Sequence, residues 1–240
     1  MQWPARKLTS LLMVLVLLTY TAGCLDDEPD DKDDDEPEEV LANAGTNVVG
    51  AVGEPVTFNA SDSSGPIVKY TWGVSVNATA PNLTVLDGVE AEHTFLEAGK
   101  YLVTLTVVGD KGQNASKTIH AFIDRIETVS GTISLTEWNE TYEYTITDDV
   151  QAVKLTLTYA TGTLLNPYTL DMEVYIDDVQ PLATTVTQLP DQGGTQVEEL
   201  DLSVIDILDN GGFRIVVRWT TAPTSGVSFD LDVEILYSGI

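Results

Sequence analysis

Cysteine occurs once in this sequence, at Cys24, so no intrachain disulfide braces the fold. Histidine occurs twice, at His93 and His120, and neither a Gly-x-Ser-x-Gly elbow nor a His-Glu-x-x-His pair is present. Basic residues are scarce as well: 11 Lys and Arg stand against 38 Asp and Glu, a formal charge of −27 over 240 residues. Binding to phosphates takes clustered lysine and arginine, so nucleic acid is excluded as a partner. The same deficit disfavours docking of the body of the chain on an anionic lipid surface. No apolar run reaches the about 20 residues that cross a bilayer as a helix, and no amphipathic repeat of helical period runs to useful length.

The one strongly apolar run, Leu11 to Leu18, follows Arg6 and Lys7 and leads into Thr21-Ala22-Gly23-Cys24. A basic start, a short apolar centre and small residues before a cleavage point make an export signal. The last four residues resemble the lipobox of prokaryotic lipoproteins. That resemblance implies a signal peptide over residues 1–23 and a lipid on Cys24, which becomes the first residue of the mature chain. The alternative is an ordinary secretory signal and a bare thiol, which is an oxidation liability outside a cell. Two acyl chains anchor a protein where one is marginal, so the expected address is the outer face of the cell membrane.

Residues 24–43 change character. Between Asp26 and Glu39 lie 11 acids, one lysine and two prolines, a composition that buries too little apolar surface to offset its ordering entropy and extends by self-repulsion. It reads as a disordered acidic tether, with an acidic ligand-binding tail as the alternative. Beyond it 27 acidic side chains still face 8 basic ones, a balance that suits solubility in salt and predicts a saline habitat.

From residue 44 onward the chain alternates apolar and polar residues in short runs rich in Val, Thr, Ile and Tyr, broken by Gly, Asn, Asp and Pro. This predicts an all-β protein. In a first block, residues 44–124, Val68, Tyr70, Trp72, Val74 and Val76 share a predicted inner face with Trp72 as core anchor, and Tyr101, Val103, Leu105 and Val107 share another. Tyr101, just inside a strand behind Ala98-Gly99-Lys100, fits a tyrosine corner, its hydroxyl bonding back to the preceding turn. Gly53-Glu54-Pro55-Val56-Thr57-Phe58-Asn59-Ala60-Ser61, Ile67-Val68-Lys69-Tyr70-Thr71-Trp72, His93-Thr94-Phe95, the stretch Ala98 to Val107 and Asp110-Lys111-Gly112 together resemble a PKD domain. The resemblance implies a seven-stranded immunoglobulin-like sandwich, used outside cells as a spacer or as a protein and carbohydrate contact module, and gives His93 a structural place. Gly73-Val74-Ser75-Val76 stands where that family carries Asp-Phe-Gly-Asp-Gly, so nothing belonging to that loop is carried over.

A second block, residues 126–240, repeats the alternation in Val153–Tyr159, Leu170–Ile176, Phe213–Trp219 and Phe229–Tyr237, with Asn210-Gly211-Gly212 as a turn. About eight strands predict a jelly-roll-like β-sandwich. Tyr142-Glu143-Tyr144-Thr145-Ile146, Leu170 to Tyr175, Gly212 to Val217 and Phe229 to Val233 more loosely resemble the pre-peptidase C-terminal domains of secreted bacterial and archaeal proteins. That resemblance implies a module that accompanies exported enzymes without supplying catalysis.

No catalytic constellation emerges, and the chain is read as a non-enzyme. Asp148-Asp149, Asp177-Asp178, Asp206 with Asp209, and Asp230 with Asp232 are the candidate oxygen ligands for calcium, the one cofactor considered. A calcium site needs six to eight converging oxygens and no Asp-x-Asp-x-Asp-Gly loop occurs, so a solvated acidic face is preferred and no metal ligand is assigned. Sequons stand at Asn59, Asn77, Asn82, Asn114 and Asn139; as N-glycosylation acceptors on a lipoprotein they point to an archaeal envelope. The resulting expectation is a non-enzymatic surface lipoprotein whose tandem sandwiches contact surface proteins or polysaccharide, or act as spacers. The alternative is an accessory subunit of an exported hydrolase or transport system. Tyr175, on the polar face of its strand, is the one ligand contact named from sequence.

Overall fold

Period-two alternation buries one face of a strand and wets the other, and in the computed structural model it becomes strand over most of its length. The structure describes residues 38–80, 84–161, 168–176, 180–185, 194–204, 207, 211–221 and 225–238. The leader with Cys24, most of the acidic stretch, and Asn82, Asp177, Asp178, Asp206 and Asp209 lie outside the described residues. Among the described residues no helix is long and apolar enough to cross a membrane.

The first sandwich contains β1 (Val48–Ala51), β2 (Pro55–Asn59), β3 (Ile67–Ser75), β4 (Thr84–Asp87), β5 (Glu90–Thr94), β6 (Gly99–Gly109) and the first half of β7 (Asn114–Ile133). The second adds β8 (Asn139–Thr145), β9 (Ala152–Ala160), β10 (Thr169–Tyr175), β11 (Ala183–Thr184), β12 (Thr195–Leu202), β13 (Gly212–Thr221) and β14 (Val227–Leu236). One eight-stranded sheet, in the order β12-β9-β14-β7-β6-β3-β4 with β1 parallel to β7, serves both sandwiches. It is faced by the two-stranded sheet β2-β5 on the first core and by the four-stranded sheet β11-β10-β13-β8 on the second. The fold is all-β, as the alternation predicts.

In the first core Trp72 is fully buried and tilts over Phe58 at 5.5 Å between ring centroids, while its indole N–H donates to the Gly88 carbonyl at 3.1 Å. Tyr101 forms the expected corner: its hydroxyl donates to the Glu97 carbonyl at 2.9 Å. Val40 and Ala44 are buried in this core, and Leu41 exchanges backbone hydrogen bonds with Ser64 at 2.8 and 3.1 Å. Two expected core positions are corrected. Val68 is exposed because the β3–β6 register slips between Ile67 and Lys69, which turns it out of the inner face. Val76 is exposed because β3 ends at Ser75, so the alternation no longer governs it.

In the second core Val153, Leu155, Leu157 and Tyr159 of β9 pack with Phe229, Leu231, Val233 and Ile235 of β14. Across from them lie Leu170, Met172 and Val174 of β10 and Phe213, Ile215 and Val217 of β13. Gly211, with φ of +66°, opens β13 in the left-handed region that glycine enters without penalty, and its carbonyl accepts from the Ile146 amide at 3.0 Å.

The two cores are joined by strand rather than by a linker. β7 pairs with β6 from Asn114 to Ile123 and continues as the partner of β14 from Arg125 to Ile133. Asp124 sits at the changeover, buried, and clasps the end of β14: Oδ1 accepts from the amides of Tyr237 at 2.6 Å and Ser238 at 3.0 Å, and Oδ2 from the Ser238 hydroxyl at 2.6 Å. Its backbone carbonyl accepts from Val52 at 2.9 Å. An ion pair between Lys100 of β6 and Asp149 at 2.9 Å adds a second tie.

Candidate ligand-binding groove

The inward alternation of β10 and β13 dictates what their other face carries. With Leu170, Met172 and Val174 inside, Asp171, Glu173 and Tyr175 point outward; with Phe213, Ile215 and Val217 inside, Arg214, Val216 and Arg218 do. Register sets these side by side with β8 as three rows: Asp171, Arg218 and Asn139; Glu173, Val216 and Thr141; Tyr175, Arg214 and Glu143. Direct and diagonal neighbours on one sheet face are within reach of long side chains.

The polar groups of these rows engage one another. Tyr175 donates to Glu173 Oε2 at 2.7 Å, and the Arg218 guanidinium is paired with Glu173 Oε1. The Arg214 guanidinium lies over the Tyr175 ring, 4.8 Å from its centroid, a cation–π geometry. Glu173 is only 4% exposed, a buried carboxylate held by two donors. The hydrogen bond that it accepts from Tyr175, with a smaller contribution from burial, holds the Tyr175 hydroxyl above its ordinary pKa, so the phenol stays neutral. Arg218 Nε is buried and finds no acceptor among the described residues.

Trp138 completes the rim. It is 54% exposed, whereas Trp72 is fully buried and Trp219 partly so. The turn before it is fixed: Ser134 Oγ accepts from the amides of Thr136 at 3.3 Å and Glu137 at 3.1 Å, and the Ser134 amide donates to the Glu137 carbonyl at 2.8 Å. The Trp219 indole N–H donates to the Ser134 carbonyl at 3.3 Å. Trp138, Asn139, Glu173, Tyr175, Arg214 and Arg218 surround a cavity of about 240 Å³ floored by Val216.

A larger and more open groove, about 630 Å³, runs over Ser130, Thr158 and Asp230 near the far end of β7. Two of its carboxylates have neighbours already. Asp230 accepts from Ser130 at 2.6 Å, while Glu140 accepts from the Thr132 amide at 2.8 Å and from the Tyr142 hydroxyl at 2.6 Å.

The residues singled out from sequence are dispersed. His93 packs edge-on to Phe95 at 4.6 Å, and burial lowers its pKa; His120 stacks on Phe122 at 6.0 Å. Asp149 is engaged by Lys100, Asp230 by Ser130 and Asp232 by Thr128. Among the described residues no three acidic, histidine or cysteine groups converge on a metal-sized site. Asn59 Nδ2 donates to Glu90 at 3.0 Å; Asn77 is exposed in a turn, its Oδ1 accepting from the Thr79 and Ala80 amides at 3.0 and 2.8 Å; Asn114 is exposed at the start of β7; Asn139 is half-buried beside the groove. Of the groove, sequence reasoning named Tyr175 as a ligand contact and Asn139 as a sequon. The signal it passed over is even spacing: Glu173 with Tyr175, and Arg214 with Arg218, are rare or polar residues repeated on one strand face in a chain with four arginines.

The PKD domain model matches residues 41–121. The matched segment thus spans β1 to β6 and the first part of β7, and the groove lies wholly outside it. Among solved structures, one of carbohydrate-binding modules from the β-sandwich superfamily is similar at 14% identity, over 84% of this chain and 98% of that one, with a TM-score of 0.32. The fibronectin(III)-like modules of Clostridium thermocellum CbhA align at 20% identity, over 36% of this chain and 98% of that one, at 0.27. Bacteroides ovatus SGBP-B, in complex with a mixed-linkage heptasaccharide, aligns at 13%, over 80% and 50%, at 0.25. Overlap this slight transfers no ligand to this chain.

Proposed function

We propose that the protein is a non-enzymatic, lipid-anchored cell-surface protein that holds its second sandwich at a fixed distance and orientation from its first for contact with extracellular partners. The observation that carries this reading is β7. Its 20 residues run through both sandwiches, about 66 Å at a rise of about 3.3 Å per residue. A flexible junction between two modules lets each sample its own orientation. A shared strand, clasped by Asp124 and tied by Lys100 to Asp149, fixes one orientation instead. Rigidity of this kind suits a spacer that presents a surface.

In this reading the leader exports the chain, the lipid sits on Cys24, and the acidic stretch from Asp26 to Glu39 stands the sandwiches off the bilayer. The test is replacement of Cys24 by serine in the native host. The expected result is loss of metabolic fatty-acyl labelling and transfer of the protein from the membrane fraction to the medium. A wild-type protein that takes up no acyl label and is recovered from the cytosol overturns the reading.

A further inference from the structure

We propose that the cavity bounded by Trp138, Asn139, Glu173, Tyr175, Arg214 and Arg218 is a binding subsite for one neutral saccharide ring. This deepens the surface-contact reading above, on which it rests, by naming the class of ligand and the residues that meet it.

Three properties of the cavity lead to that chemistry. The first is size: about 240 Å³ falls below the roughly 300–1,000 Å³ of pockets for drug-sized ligands, so it admits one ring rather than a folded chain or a large cofactor. The second is the pairing of an aromatic platform with planar polar groups. A sugar ring has an apolar C–H face that packs on an indole, and hydroxyls on its edge that each donate and accept. The guanidinium of Arg218, the Glu173 carboxylate and the Asn139 amide supply donors and acceptors in fixed planes.

The third property is charge. Across the same sheet face Asp171, Glu173 and Glu143 stand beside Arg214 and Arg218, so the arginines carry no surplus positive charge. A phosphate, sulfate or uronate would meet the Glu173 carboxylate of the lining, with Asp171 and Glu143 on the same sheet face of a protein of charge −27, whereas a neutral polyol meets only hydrogen-bonding partners. The backbone that carries the platform is also held in place. The turn ahead of Trp138 is pinned by Ser134 and by the Trp219 indole, and the Glu173 side chain is held by Tyr175 and Arg218. Little ordering entropy is left to lose on binding.

The test uses the full mature chain in detergent and an array of neutral oligosaccharides built from glucose, galactose, mannose and N-acetylhexosamines, alongside sulfated and uronate-containing ones. The expected result is binding to at least one neutral glycan, with protection of Trp138 from acrylamide quenching in the wild type. Trp138→Ala should weaken that binding roughly tenfold or more, and Trp138→Tyr, which keeps a ring, should restore most of it. The melting temperature of both variants should stay near that of the wild type, because Trp138 is more than half exposed. The quenching readout needs no variant, so it stands if a substitution disturbs folding. The proposal is overturned if no neutral glycan binds, if neutral binding is indifferent to Trp138→Ala with no protection from quenching, or if binding is confined to the sulfated and uronate glycans. It is overturned equally if native Asn139 carries a glycan that fills the cavity. Glycan binding by a chain that proves to be unanchored would sink the membrane reading alone.

Discussion

Asp124 is the residue on which the two sandwiches most depend. It is a buried acid, 6% exposed, whose two oxygens accept three hydrogen bonds from the last turn of chain after β14. Removing the carboxylate leaves the Tyr237 amide, itself buried, without its acceptor, and an unsatisfied buried donor costs more than a lost exposed hydrogen bond. Asp124→Ala should lower stability by about 2–4 kcal/mol in urea unfolding; a loss below about half a kcal/mol would mean that water replaces the clasp. The tyrosines of β8 give a pH dependence at this scale. Burial first, then the hydrogen bond to Glu140, raises the pKa of Tyr142; burial first, then a hydrogen bond to Glu127, raises that of Tyr144. A raised folded-state pKa means that the fold holds the neutral phenol. Its contribution is fully present below the ordinary value of 10 and is lost as pH climbs through the raised values. Stability should therefore fall above about pH 10, and Tyr142→Phe with Tyr144→Phe should soften the fall; an alkaline limb unchanged in the double variant would assign it elsewhere.

The element that decides the architecture is β7, and it is also where sequence reading meets its limit. Odd-numbered residues take the inward positions in both halves: Ile119, Ala121 and Ile123 enter the first core, and Val129 and Ile133 the second. The pattern through the junction, where Arg125 and Glu127 take inward positions and Ile126 is exposed, reads the same for one strand crossing two cores as for two strands meeting at a turn, because strand partners are set by contacts distant in sequence. The faces of β9, β10, β13 and β14 were legible, since burial there follows the local pattern alone. The groove was not, because its rows exist only through the register of β8, β13 and β10, and its rim through a turn held by Trp219 from another strand. A continuous β7 makes a geometric prediction. With Cys24 replaced by serine the chain is free of thiols, so spin labels can be placed at Val85→Cys on β4 and Val197→Cys on β12, exposed positions on opposite edge strands of the eight-stranded sheet. Pulsed electron–electron resonance should give a single narrow distance distribution. A broad or bimodal one would show that the sandwiches move independently and would remove the spacer argument. Gly131 tests the packing of the same strand: a side chain there would drive into the Phe229 ring and the Glu140 carboxylate, so Gly131→Val should cost about 1–3 kcal/mol of stability.

At the scale of the whole molecule the dominant fact is unbalanced charge. Beyond the acidic stretch 27 acids face 8 bases, and Lys100, Arg125 and Arg218 are each already engaged by a carboxylate. Most acidic side chains therefore have no cation available to them by number alone, and in the compact state they repel one another more than in an expanded chain. The repulsion reaches about 30 Å at 0.01 M salt, about 10 Å at 0.1 M and about 3 Å at 1 M, so its relief is concentrated at the low end of that range. The melting temperature should rise steeply over the first few tenths molar of sodium chloride and then more slowly, where salt acts on apolar burial rather than on charge. A gain of about 1 kcal/mol should raise it by about 2–4 °C in a chain of this size. Sucrose, which favours compact states without screening, separates the two causes: it should reproduce the slow limb and not the steep one. A melting temperature that is flat across the low-salt range would mean that the charges are already spaced beyond mutual reach, and the case for a protein adapted to brine would fall with it.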